Sequence, residues 1–223
     1  MKRTPVTVVV NLNDEREARE TPSLERLGSL TIDDMNGVNA VILEQMQSPV
    51  LLIPQLAGHI IAAGGKRLRP MLTLSSARLC GYEGNRHVSL AACVEFIHTA
   101  TLLHDDVVDG AEVRRSRPTL AANWGNKVSV LAGDCLFAEA LQLAANMPTQ
   151  SVCGLVARAA KAVCTGEIRP TLQRGNFQLQ QAEYFELVGM KAAELFALAC
   201  ALGARLSAAD AATEAALREY GQQ

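Results

Sequence analysis

Three carboxylates, Asp105, Asp106 and Asp109, close a long apolar run and are followed at once by Gly110 and the pair Arg114-Arg115. The run from Val88 to Leu103 has neither proline nor glycine, which predicts a helix, and Gly110 is the stop expected just past its end. Residues four apart share a helix face, so Asp105 and Asp109 point the same way, with His98 seven residues back above them. Carboxylates on the end of an apolar helix are costly unless a cation meets them, and at a C-terminus they oppose the helix dipole. Oxygen donors with no nearby cysteine favour Mg2+ over zinc, with water and phosphate oxygens completing the shell. A solvated acidic helix end is the weaker alternative.

Cations stand in several separate stretches. Gly64-Gly65-Lys66-Arg67-Leu68-Arg69-Pro70 is a glycine-rich basic turn before a helix that Pro70 can open. Such a turn suits an anion, although a plain basic surface turn fits that segment equally well. Arg114, Arg115 and Arg117 follow the aspartates, and Lys191 interrupts an apolar stripe between Val188 and Leu195. Arginine's planar fork favours oxyanion binding over surface neutralisation, whereas the lysine either snorkels to solvent or faces the same anion. Lys66, Arg69, Arg114, Arg115 and Lys191 exceed what one phosphate group needs, which suggests two anionic substrates side by side. No Ser-His-Asp spacing and no setting for an activated cysteine is present. The chemistry is then the binding of a diphosphate and its conversion into a better leaving group, with metal neutralising the developing charge.

The elements that must position these groups are helical. The chain of 223 residues is 49% hydrophobic but only 4% aromatic, a balance suited to a bundle packed with small aliphatic side chains. Periodicity predicts helices from Thr31 (with Thr31 as N-cap), over 51–63, 71–80, 89–109, 128–145, 151–168 up to a stop at Pro170, and 181–202, with one more beginning at Ser207. Few strand signals and no repeats make the fold all-α. Residues 1–30 read as a flexible N-terminal arm, despite the run Val6–Val10, and 31–223 as one domain. Within it Asp134, on an apolar face with Val130 and Phe137, requires a structural partner. A net charge of −2 argues against nucleic acid. The six cysteines form no C-x-x-C pair and are expected as buried free thiols. No uninterrupted apolar window has the length of a membrane span, and the N-terminus has too short an apolar core for a signal peptide. A cytoplasmic protein is expected.

The sequence resembles the trans-polyprenyl diphosphate synthases, especially long-chain, octaprenyl-type members. The resemblance rests on 64–70, on Phe96-Ile97-His98-Thr99-Ala100-Thr101-Leu102-Leu103-His104-Asp105-Asp106-Val107-Val108-Asp109, on Arg114-Arg115 and on Met190-Lys191-Ala192, in family order over residues 35 to 221. It implies a helical bundle around a central cavity, usually a homodimer. It further implies that Asp105 and Asp109, with Asp106 in support, hold Mg2+ on an allylic diphosphate that Arg114 and Lys191 also bind. Lys66, Arg69, His98 and Arg115 would hold isopentenyl diphosphate. The allylic substrate ionises, the isopentenyl double bond attacks, and a proton leaves.

Three departures from the family pattern stand out. The second aspartate-rich motif, expected after Tyr220-Gly221, is missing, so the domain reads as C-terminally short. Gly166-Glu167-Ile168-Arg169-Pro170 stands where the family has Gly-Glu-x-x-Gln, and Lys191-Ala192 where it has Lys-Thr. A non-catalytic or truncated subunit that dimerises with a complete synthase is therefore the alternative function. A helical metal phosphohydrolase built on His104-Asp105 ranks lower, because His98 and His104, six apart, lie on opposite faces. Above Asp105 stand Ala100 and Thr101, neither a bulky aromatic. An open floor there predicts a product longer than geranylgeranyl.

Overall fold

The apolar run that ends in the aspartates folds as α5 (Arg86–Val108), and everything else is arranged around it. In this computed structural model, residues 23–62, 65–172, 175 and 178–223 are described. Residues 1–22, with the Val6–Val10 run, and Gly64 lie outside them. Leu90 to Val94, Phe96 and Ile97 are fully buried, so α5 is apolar around most of its circumference, as a bundle's central helix must be. Asp109 is its C-cap and Gly110 follows at φ 62°, the left-handed stop that glycine takes without penalty.

Before α5 come α1 (Leu24–Leu30), α2 (Ile32–Gln45), α3 (Leu52–Ala62) and α4 (Leu68–Leu79). After it come a hairpin, β1 (Val113–Arg114) with β2 (Arg117–Pro118), then α6 (Leu120–Trp124), α7 (Asn126–Ala145) and α8 (Ser151–Leu172). The chain closes with α9 (Gln181–Val188), a π-helical segment (Gly189–Ala193), α10 (Glu194–Leu206) and α11 (Ala211–Gln222). The two-stranded hairpin is the only sheet among the described residues, and the fold is all-α.

α5 packs on α7, α4, α2 and α10. The buried Ser129 hydroxyl donates to the Leu103 carbonyl at 3.0 Å and pins α7 to it. α10 is buried along its length and lies so close to α4 that a Cβ on Gly203 would meet the Ala77 nitrogen at 2.5 Å. Only glycine fits that crossing. α7 and the stretch Gln181–Leu206 are each long and apolar enough, by length and composition, to cross a membrane; 61% of the second is buried in the bundle.

Several expectations need correction. Leu24–Leu30, read as part of the arm, is a helix capped by Ser23, whose hydroxyl accepts from the Arg26 amide. Thr31 does start α2, but its hydroxyl donates backward to the Leu27 carbonyl of α1, because that preceding turn supplies the nearer acceptor. Pro170 does not stop α8, which continues two residues beyond it. A proline this near a C-terminus forfeits one backbone bond, its own to the Gly166 carbonyl, while the Thr171 hydroxyl donates to the Glu167 carbonyl. Cys164 is exposed and three other thiols are half-buried, leaving only Cys93 and Cys200 in the core. Asp134 is exposed, with a carboxylate oxygen 3.4 Å from His104 Nε2.

Candidate functional site

The two groups of charges lie around the C-terminal half of α5 and are built differently. On one side is a cavity of about 690 Å3 between the 65–67 loop, α5 and the hairpin. Lys66, Arg67, Arg69, Arg114, Arg115 and Arg117 line it, together with His98, Glu95 and Asp106. Its cations come from two turns that are themselves unusual. Arg67, the N-cap of α4, sits at φ 52°, and Arg115 and Ser116, the central pair of the hairpin, sit at 50° and 61°. Positive φ at both central residues is what a two-residue type I′ hairpin demands, and non-glycine residues hold it at a cost of about 1–3 kcal/mol each when their surroundings fix them. Gly65 lets the turns meet, since a Cβ there would stand 3.0 Å from the Arg115 guanidinium.

Inside the cavity Arg69 and Arg114 have supports within the protein. Arg69 packs its guanidinium 4.1 Å from the centre of the Phe196 ring and 3.4 Å from His98 Nε2. Burial lowers its pKa. Arg114 donates from Nε to Asp106 at 2.6 Å, and Asp106, 3% exposed, is thereby turned toward the cavity and away from Asp105. Burial first, and then Arg69, Arg115, Arg114 and Arg67, push the His98 pKa down to about 3. His98 is accordingly a neutral imidazole among guanidinium groups, able to offer one lone pair and one N–H.

On the other side are Asp105, the exposed Asp109, Glu167 of α8 and Lys191 of the π-helical segment. Lys191 Nζ lies 2.7 Å from Glu167 Oε1 and 2.8 Å from Oε2. The lysine pKa is raised. Burial acts to lower it, but Glu167, then Asp105 and Asp109, carry it up. Asp105 is raised by burial, then by Glu167 and Asp109, with Lys191 and Arg114 opposing. One lysine thus stands among three carboxylates, and the excess negative charge is an oxygen-only setting for a hard divalent cation. Two carboxylates one helical turn apart, completed by water and phosphate oxygens, fit Mg2+. Among the described residues no three His, Cys, Asp or Glu side chains gather to hold a metal unaided.

The structure therefore brings Lys66, Arg69, His98, Arg114, Arg115 and Asp106 to one cavity, and Asp105, Asp109 and Lys191 to the adjoining cluster. Ala100 is fully buried in the core, and the Thr101 hydroxyl donates to the His98 carbonyl at 2.7 Å. Three contributors escaped sequence reasoning. Glu95 and Arg67 pair at 2.8 Å across the cavity, and a carboxylate inside an apolar helix was the available signal for the first. Glu167 shares Lys191. Nothing in the sequence announced the π-helical segment, although such bulges recur at functional sites. Among the described residues His87, His98 and His104 do not converge: His104 reaches the Val130 carbonyl at 3.1 Å on the α7 side, and His87 is buried beside Asp34.

The sequence model of the polyprenyl synthetase family matches residues 51–223. The octaprenyl diphosphate synthase of Escherichia coli K12 is 41% identical over 200 residues, which are 90% of this chain and 62% of that protein. Component 2 of the heptaprenyl diphosphate synthase of Geobacillus stearothermophilus is 35% identical over 181 residues, 81% of this chain and 57% of that one. A polyprenyl synthase from Caulobacter crescentus CB15, crystallised with calcium and isoprenyl diphosphate, superposes with a TM-score of 0.87 at 46% identity. The match covers 92% of this chain and 62% of that chain. The chain thus spans less than two thirds of the length of the relatives it matches.

Proposed function

The chain belongs to the polyprenyl synthetase family, and we propose that it is a trans-prenyltransferase extending an allylic diphosphate with isopentenyl diphosphate into a long-chain polyprenyl diphosphate. The observation that carries this reading is the juxtaposition of a six-cation cavity with a carboxylate cluster at one end of α5. Lys66, Arg69, His98 and Arg115 hold isopentenyl diphosphate, the neutral His98 donating or accepting without adding charge. Arg114 and Lys191 face the allylic diphosphate, with Asp106 fixing Arg114. Asp105 and Asp109 would hold Mg2+. When bound, such an ion would supply positive charge for the diphosphate that leaves as the allylic C–O bond breaks. The isopentenyl double bond then supplies the electrons of the new C–C bond, and a proton lost from the adjacent carbon restores a double bond. The growing tail runs along α5 past Thr101 and Ala100, neither of which is a bulky aromatic.

The protein acts as a homodimer in the cytoplasm and uses no nucleic acid. The outer side of α7 exposes Val130, Leu131 and Leu141 and supports a covered face. A second reading, a subunit working beside a complete synthase chain, draws on the likeness to a protein called component 2.

Incubation with farnesyl diphosphate, labelled isopentenyl diphosphate and Mg2+ tests the assignment. Long prenyl products that vanish in Asp105→Ala are expected. A folded wild-type chain that binds diphosphate yet forms no product alone, and gains none of the activity on mixing with a complete synthase, would sink both readings.

A further inference from the structure

Within the basic cavity stands one charge of the wrong sign for an anion site. Glu95, 8% exposed, projects from the middle of α5 and places Oε1 2.8 Å from Arg67 Nη1. Arg67 caps α4 in a left-handed conformation and sends its other Nη toward the Asn39 side chain at 3.4 Å and the Ile60 carbonyl at 3.3 Å. One guanidinium thereby stitches α2, α3 and α5 to the start of α4, and the residues on either side of it, Lys66 and Arg69, are the ones that line the cavity with their cations. We infer that Glu95 is a positioning residue: by clamping Arg67 across the cavity it fixes the 65–69 turn in the conformation that presents Lys66 and Arg69 to a diphosphate. This deepens the functional reading above and rests on it.

Two bland accounts are available and both make opposite predictions. If Glu95 merely offsets surplus positive charge, removing it leaves a more cationic cavity, and an anion binds more tightly. If it only contributes to folding, it alters stability and leaves the affinity of the folded protein alone. A clamp does neither. Burial is the leading cause that raises the Glu95 pKa, with Arg67, Arg69 and Arg115 opposing it. The carboxylate is thus retained in an unfavourable place, and a buried carboxylate that has lost its partner is costlier than none. Arg67 and Glu95 therefore act as a unit, and loss of either frees the same turn.

The test is calorimetric titration with inorganic diphosphate of wild type, Glu95→Gln, Glu95→Asp and the double variant Glu95→Gln/Arg67→Gln, each verified as folded by circular dichroism. The clamp predicts that Glu95→Gln weakens binding about tenfold although it removes a repelling charge, since a misplaced charge-assisted contact costs that much. Glu95→Asp, which keeps the charge and shortens the reach, weakens it too, and remains informative should the glutamine variant fail to fold. The double variant binds about as weakly as Glu95→Gln, because the same turn is already free. Equal or tighter binding by both single variants overturns the clamp while leaving the functional reading intact. A folded wild type that binds no diphosphate overturns the functional reading, and the clamp with it.

Discussion

The two sides of α5 differ in how their charges are held. In the basic cavity three of the six cations rest on supports within the protein: Arg114 on Asp106, Arg67 on Glu95, Arg69 over Phe196. In the acidic cluster three carboxylates share Lys191, so the protein supplies less positive charge than the oxygens call for. The first site is preorganised and its substrate finds the dipoles already aimed. The second would be completed from outside, by the divalent cation proposed for it. On the proposed function, substrate positioning belongs to the cavity and the bond-breaking step to the cluster.

Substitutions can break that contrast. Asp109→Asn, which strips a metal oxygen, is expected to lower kcat by about 100-fold or more and to flatten the response to Mg2+, read from initial rates across a metal titration. Arg69→Gln is expected mainly to raise KM for isopentenyl diphosphate, by about tenfold or more, with a smaller change in kcat. A loss confined to kcat would reverse the assignment of the two sides. Ala100→Phe is expected to shorten the product, measured by chain-length analysis. Because Ala100 is fully buried, the ring also costs about 1–3 kcal/mol through overpacking, read as a lower melting temperature. Unchanged product length would mean that the tail takes another path.

The mildest probe is pH. In the unfolded chain His98 takes up a proton near its ordinary pKa of 6.5, whereas in the folded protein it does so only near 3. Between those values the unfolded state binds the extra proton, so stability is full above 6.5 and falls as pH drops through the window. Urea titrations of His98→Gln should lose less stability near pH 4 than wild type, by on the order of 1–3 kcal/mol. Equal losses would mean that His98 is not the group responsible.

Much of this was legible in the sequence. α5, α7 and the stretch around Lys191 are long apolar runs without proline, and Gly110 marks a helix end through its backbone freedom alone. The cations at 66–69 and 114–115 stood out as short clusters, and the structure brings them to one cavity. What escaped was set by distance along the chain. Arg67 and Glu95 are 28 residues apart, and Glu167 and Lys191 are 24 apart, so no local pattern could pair them. The hairpin escaped because Arg115 and Ser116 are not turn-forming glycine or asparagine, and α1 because seven residues are too few to show a period. Pro170 was read by its average behaviour, which fails two residues from a helix end where there is little ladder left to break.

The π-helical segment at Gly189–Ala193 has a consequence for how this helix could have arisen. A single surplus residue in a helix turns everything on one side of it by about 100° relative to the other. α9 and α10 are therefore one rod with a built-in phase shift, and Lys191 stands at the step. Taking one codon out of that stretch would leave Leu195, Leu198 and Leu202 in their places against the core while swinging the preceding helix and its lysine off Glu167. The packing register and the placement of that charge can thus be inherited separately, by the gain or loss of one residue.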